Sequence, residues 1–165
     1  MDLTLRLPRD CNRGCSFCYA GHKRAVVMTR ETAAAALDLA FRELRTGKLQ
    51  LSFFGGEPLL EWDTLAWATD RARGMAADAG VDLQLTVTTN ATLLTDERVA
   101  WLTDREFALG ISIDGDRESH DRTRPARGGG SSFDRTLAGL CRALPHSPNA
   151  EAIFVVDPAN VDRVL

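Results

Sequence analysis

The sequence predicts an α/β fold, one domain over residues 1–165, built on a mostly parallel sheet that curls around a ligand. Three observations carry this. Short apolar-alternating segments recur between longer stretches with helical spacing, as βα units require. In several strands one phase is apolar and the other small or polar, Leu49, Leu51 and Phe53 against Gln50 and Ser52 for example. Strands of a flat parallel sheet buried on both faces would read as continuous apolar runs. Finally, each group of residues suited to hold a ligand falls just after a strand, where parallel sheets bind ligands.

Taken in order, Leu3, Leu5 and Leu7 alternate with Thr4 and Arg6 in a first strand that Pro8 ends. Thr29 caps a helix whose apolar face is Ala33, Ala36, Leu37, Ala40, Phe41 and Leu44, closed by Gly47. Leu49 to Phe54 is the second strand, followed at once by Gly55-Gly56-Glu57-Pro58. A helix from Trp62 to Ala79 ends at Gly80. Leu83 to Thr88 is the third strand, with Thr89 and Asn90 after it; Thr95 starts a shorter helix through Leu102; Phe107 to Ile113 is the fourth strand, closed by Asp114-Gly115. After a long polar loop come a helix over 133–144 and a fifth strand from Glu151 to Val156. Cys141 joins Leu137, Leu140 and Leu144 at helical spacing, which reads as a small core residue. The apolar strand phase then faces the helices, and the polar phase lines a concave interior.

Composition narrows the function. The formal net charge of −3 gives no electrostatic case for nucleic-acid binding, and the run His22-Lys23-Arg24 reads as a solvated loop. With 44% hydrophobic and 26% charged residues the chain is globular rather than disordered. No apolar run is long enough to span a membrane, and the first residues lack a signal-peptide pattern. The expectation is a cytoplasmic protein with no membrane partner.

The most informative stretch is Cys11-Asn12-Arg13-Gly14-Cys15-Ser16-Phe17-Cys18. Three thiols spaced C-x3-C-x2-C in a reducing compartment read as metal ligands rather than disulfide partners. Soft thiolates select zinc or an iron–sulfur cluster. A [4Fe-4S] cube normally takes four thiolates, so three would leave one iron open. The competing reading is a closed zinc site of Cys11, Cys15, Cys18 and His22.

This cysteine spacing, with an aromatic residue just before the last cysteine, and the Gly55-Gly56-Glu57-Pro58 sequence together resemble the radical S-adenosylmethionine (radical SAM) superfamily. The segment Ser112 to Leu140 resembles its peptide-modifying, sulfatase-maturase-like branch. The resemblance implies a [4Fe-4S] cluster on Cys11, Cys15 and Cys18, with the amino and carboxylate groups of S-adenosylmethionine on the fourth iron. It places Phe17 near the adenine, Gly55, Gly56 and Glu57 at the methionine ammonium, and Ser112 and Arg124 at further polar positions of that cofactor. A hydroxyl and a guanidinium suit those tasks, although Arg124 reads equally as one more surface arginine beside Arg122 and Arg127. The implied reaction is reductive cleavage of S-adenosylmethionine to a 5′-deoxyadenosyl radical that abstracts hydrogen, in peptide or protein maturation, with flavodoxin or ferredoxin as external electron donor.

Against the family pattern, the chain supplies about five of six βα units of a partial parallel βα barrel. No cysteine-rich SPASM or twitch domain is expected. The expectation is a core domain incomplete at its C-terminus, with a partner chain able to complete the barrel. Besides the enzyme, an inactive cluster-binding remnant or accessory module and a zinc-stabilised structural domain are open readings. Gly128-Gly129-Gly130 lacks the Gly-Lys-Ser/Thr of a phosphate loop and reads as a lid or linker.

Overall fold

A computed structural model describes residues 1–21 and 23–163. Among them, strands β1 (Asp2–Arg6), β2 (Lys48–Phe54), β3 (Asp82–Thr89), β4 (Ala108–Ser112) and β5 (Ala150–Ile153) form one sheet in the order β1-β2-β3-β4-β5. Every neighbouring pair is parallel. Helices α1 (Arg30–Glu43), α2 (Trp62–Ala79) and α3 (Asp96–Asp104) link the first four strands; α4 (Arg117–Thr123) and α5 (Phe133–Ala143) lie between β4 and β5. The result is the expected α/β partial barrel. Among the described residues no helix is long and apolar enough to cross a membrane.

The period-2 reading holds across the sheet. Register aligns Leu5, Phe53, Val87 and Leu109 in one row, and all four are buried. A second row joins Leu3, Leu51 and Leu85. These rows pack with Ala33 and Leu37 of α1, Leu65, Ala68 and Ala72 of α2, and Val99 and Leu102 of α3 in one core. On the opposite phase Thr86 Oγ1 donates to Ser52 Oγ at 2.8 Å, so polar side chains of adjacent strands satisfy each other.

Local signals set the first three helices. The Thr29 hydroxyl accepts from the Thr32 amide, and that of Thr95 from the Arg98 amide. At the end of α2, Gly80 takes the left-handed conformation and its amide returns to the carbonyls of Ala76 and Ala77.

The last third of the chain departs from expectation. The segment taken for a polar loop contains α4, capped by the Asp116 carboxylate on the Ser119 amide. Its inward face is Ser119, His120 and Thr123, so it carries no apolar stripe to betray it. Helix α5 turns inward through Thr136, Gly139 and Ala143, leaving Leu137 and Leu144 exposed. Cys141 is exposed as well, not a core residue. Gly139 fixes this rotation, because a Cβ there would lie 2.2 Å from the Ala91 carbonyl oxygen. Strand β5 ends at Ile153, short of Val156, because the Val155 amide donates to the Asp114 carboxylate instead of to a strand.

Candidate cofactor site

The cysteine loop leaves β1 and returns to α1 through a tied base. The Leu7 amide extends the β1–β2 pairing to the Phe54 carbonyl at 3.1 Å, and the Arg9 and Met28 amides donate to the carbonyls of Val26 and Leu7. On its far side the loop is backed by the chain that follows α4. Gly14 and Ser16 donate backbone bonds to Pro125 and Thr123 at 2.9 Å, Arg127 donates to the Asn12 carbonyl, and the Arg127 side chain pairs with Asp10. The loop thus has backbone partners on both sides, which satisfies peptide groups that would otherwise be buried unpaired.

The turn after β2 crosses the start of this loop at backbone contact. The Gly56 and Glu57 amides donate to the carbonyls of Pro8 and Asp10 at 2.9 and 3.0 Å. A Cβ on Gly56 would sit 1.9 Å from the Asp10 carbonyl oxygen, so no other residue fits without moving one of the two segments. Glu57 is fully buried under the turn. Its carboxylate accepts from the Leu59 amide (3.0 Å), the Thr89 hydroxyl (2.7 Å) and the Asn90 amide (2.8 Å), joining the ends of β2 and β3. The Asn90 side chain donates to Asn12 Oδ1 at 2.8 Å and approaches Cys11 Sγ at 3.8 Å, so Glu57 acts on the cysteine loop through Asn90.

These elements enclose a cavity of about 350 Å³ at the carboxyl ends of the strands. Cys11, Cys15 and Cys18 line it, together with Phe17, Gly55, Gly56, Ser112 and Arg124. Glu57, expected at the cofactor, stands behind the wall rather than in it. Arg124 is no surface arginine: it is buried, its Nε donates to the fully buried Asp114 at 2.8 Å, and its guanidinium lies 4.9 Å from the Phe17 ring centroid. Asp114 also accepts from the Thr123 hydroxyl and the Val155 amide. Burial opposes its ionisation, but Arg124 and these donors hold its carboxyl below the usual range.

The thiols differ in environment. Burial raises the pKa of Cys11 and of Cys15. Burial acts the same way on Cys18 and is the largest single influence, but a hydrogen bond from Lys23 Nζ at 2.6 Å, a backbone bond from Ala20 and the charges of Lys23 and Arg124 together outweigh it and lower that pKa. Lys23 is therefore half-buried against the site, not part of a solvated run.

A family model described as the Radical SAM superfamily matches residues 5–158. The chain belongs to the radical SAM superfamily. It is 27% identical to a serine-type anaerobic sulfatase-maturating enzyme of Bacteroides thetaiotaomicron over 94% of this chain and 39% of that one. It is 30% identical to an Fe-coproporphyrin III synthase of Methanosarcina barkeri over 94% of this chain and 37% of that one. Its fold matches a solved structure of anSMEcpe with bound AdoMet and Cp18Cys peptide, at TM-score 0.87 and 22% identity, over 99% of this chain and 45% of that one. The chain thus spans less than half the length of each of these proteins.

The residues of this radical SAM chain suit the cofactors of its superfamily. Three soft thiols, two of them flanking a buried arginine whose Nε lacks a partner, line a cavity walled by backbone, a hydroxyl and a guanidinium. A cube takes its thiolates at separate corners, which suits three cysteines spread along one loop. His22, the fourth ligand of the zinc alternative, lies outside the described residues.

Sequence reasoning missed Arg13, Lys23 and the support given by Asp114 and His120. Asp114 and His120 were visible only as polar loop residues. Nothing in the spacing marks Lys23 as a partner of Cys18, five residues earlier.

Proposed function

We propose that this chain is the core of a radical SAM enzyme that holds a [4Fe-4S] cluster on Cys11, Cys15 and Cys18 and S-adenosylmethionine beside it, and acts in peptide or protein maturation. The observation that carries the reading is the shared cavity, where the three thiols meet Gly55, Gly56, Ser112, Arg124 and Phe17 at the strand ends. When bound and reduced by a donor such as flavodoxin or ferredoxin, the two cofactors supply a 5′-deoxyadenosyl radical for hydrogen abstraction.

The protein's own part is binding and orientation. Lys23 favours the thiolate of Cys18, the form that ligates metal. Gly55 and Gly56 bring backbone to the cavity wall, where the Gly55 carbonyl, which accepts from the Tyr19 hydroxyl at 3.1 Å, keeps a second lone pair for an ammonium group. Arg124, fixed through Nε by Asp114, offers its other nitrogens to a carboxylate, Ser112 offers a hydroxyl to ribose or carboxylate oxygens, and Phe17 an apolar face to adenine. Glu57 keeps the Gly-Gly turn, Asn90 and the cysteine loop in register. The peptide or protein substrate class is drawn from the sulfatase-maturating relative and from the peptide-bound neighbour.

Anaerobic reconstitution followed by electron paramagnetic resonance of the dithionite-reduced protein tests this. A [4Fe-4S] signal that changes when S-adenosylmethionine is added, with 5′-deoxyadenosine formed, is the expected result. A changed signal without 5′-deoxyadenosine would mark an accessory module, and bound zinc in place of iron would defeat the reading.

A further inference from the structure

Arg13 is among the largest fully buried side chains, 1% exposed, and it lines the cavity between Cys11 and Cys15. A buried cation is costly unless paired, and among the described residues Arg13 makes no ion pair. The other buried arginine of the site, Arg124, has Asp114. The carboxylate of Glu57 is occupied by Leu59, Thr89 and Asn90.

Its hydrogen bonds fall short as well. One terminal nitrogen donates to the Asn90 carbonyl at 3.1 Å, and Nε has no partner. The other terminal nitrogen meets His120 Nε2 at 2.7 Å. His120 Nδ1 accepts from the Asp114 amide, so the neutral ring carries its proton on Nε2. Two donors therefore face each other, and Arg13 has more donors than acceptors. Glu57 acts on Arg13 from behind the wall without pairing with it, and the other groups able to carry negative charge beside it are the thiolates of Cys11 and Cys15 that flank it in the chain.

We propose that Arg13 is the countercharge of the thiolate-bound cluster, giving its buried positive charge and free Nε–H to the sulfur side of the site and so raising the cluster's reduction potential. This rests on the cluster reading above. Reduction adds one electron to an already anionic assembly, and a fixed cation nearby stabilises the product more than the reactant. Net charge and hydrogen bonds to the sulfurs are established levers on such potentials. If Arg13 only filled space between Asn90 and His120, its charge would leave the potential unmoved.

The test compares wild type, Arg13→Lys and Arg13→Gln, reconstituted anaerobically. Iron and acid-labile sulfide are counted first. The reduced cluster is then followed by electron paramagnetic resonance during titration with dithionite. Wild type and Arg13→Lys are expected to titrate alike. Arg13→Gln is expected to hold about tenfold less reduced relative to oxidised cluster at a fixed potential, about 59 mV for a one-electron couple. Should Arg13→Gln keep its circular dichroism but lose iron while Arg13→Lys retains it, the charge requirement is equally supported. Arg13→Met stands in as the neutral variant if Arg13→Gln does not fold. Equal potentials throughout, or loss of iron from folded Lys and neutral variants alike, would overturn the proposal while the iron of the wild type leaves the cluster reading standing. A wild type that takes up no iron overturns both.

Discussion

His120 is the group whose titration should most clearly report the buried polar layer behind the site. It is fully buried, and burial first, then the charges of Arg13 and Arg124, push its pKa from 6.5 down to about 4, with Asp114 and Asp121 opposing. The folded value is below the unfolded one, so the unfolded chain binds the extra proton between them. Stability from this group is therefore complete above about pH 6.5 and is lost as pH falls toward 4. At about 1.36 kcal/mol per pKa unit the full loss is about 3 kcal/mol. With urea slopes of about 1–3 kcal/mol per molar, the midpoint of the wild-type, cluster-free protein should drop by at least about 1 M more between pH 7 and pH 4 than that of His120→Gln. The comparison with the variant matters, because depressed carboxylates such as Asp114 and Asp121 also cost stability in acid. Nuclear magnetic resonance can follow the ring directly, since only His22 and His146 share the spectrum. Parallel pH profiles for the two proteins, or a His120 ring that titrates near 6.5, would refute the reasoning.

Three further outcomes follow from the contacts around the cysteine loop. Gly56→Ala must push the β2 turn off Asp10; overpacking costs about 1–3 kcal/mol, and urea unfolding together with a fall in iron retained after reconstitution should both show it. Asp114→Asn leaves Arg124 buried without its counter-ion, a change worth about 3 kcal/mol of stability where one partner of a buried pair is removed, read by the same unfolding assay and by weaker S-adenosylmethionine binding in calorimetry. Lys23→Met removes the hydrogen bond that lowers the Cys18 pKa, so iodoacetamide should alkylate Cys18 more slowly at neutral pH in the cluster-free protein, with exposed Cys141 as the unchanged internal standard.

The first two-thirds of the fold was legible because each element there buries apolar side chains at its own period. Leu49, Leu51 and Phe53 mark β2 by alternation, and Leu65, Ala68 and Ala72 mark α2 by helical spacing, with Gly80 at its end. The cysteines and Gly55-Gly56 were legible by their place just after strands, and the structure brings them to one cavity. What stayed hidden is the polar layer between β4, α4 and the cysteine loop. Helix α4 packs through Ser119, His120 and Thr123, and α5 through Thr136 and Gly139, so their buried faces have the composition of surfaces. Arg13 carries the same ambiguity in one residue, since an arginine beside two cysteines in a Gly-containing loop reads as solvated until Asn90 and His120 are seen to enclose it. Such groups meet neighbours distant in sequence; His120 lies 107 residues from Arg13. A pattern with a period of two or 3.6 residues cannot encode that pairing. A chain that commits a buried cation, a neutral histidine and a buried Asp114–Arg124 pair to one side of one cavity forgoes the stability an apolar filling would give. The physical return is a fixed positive field at the thiols, which is why the charge of Arg13, rather than its volume, is the property that the potential measurements interrogate.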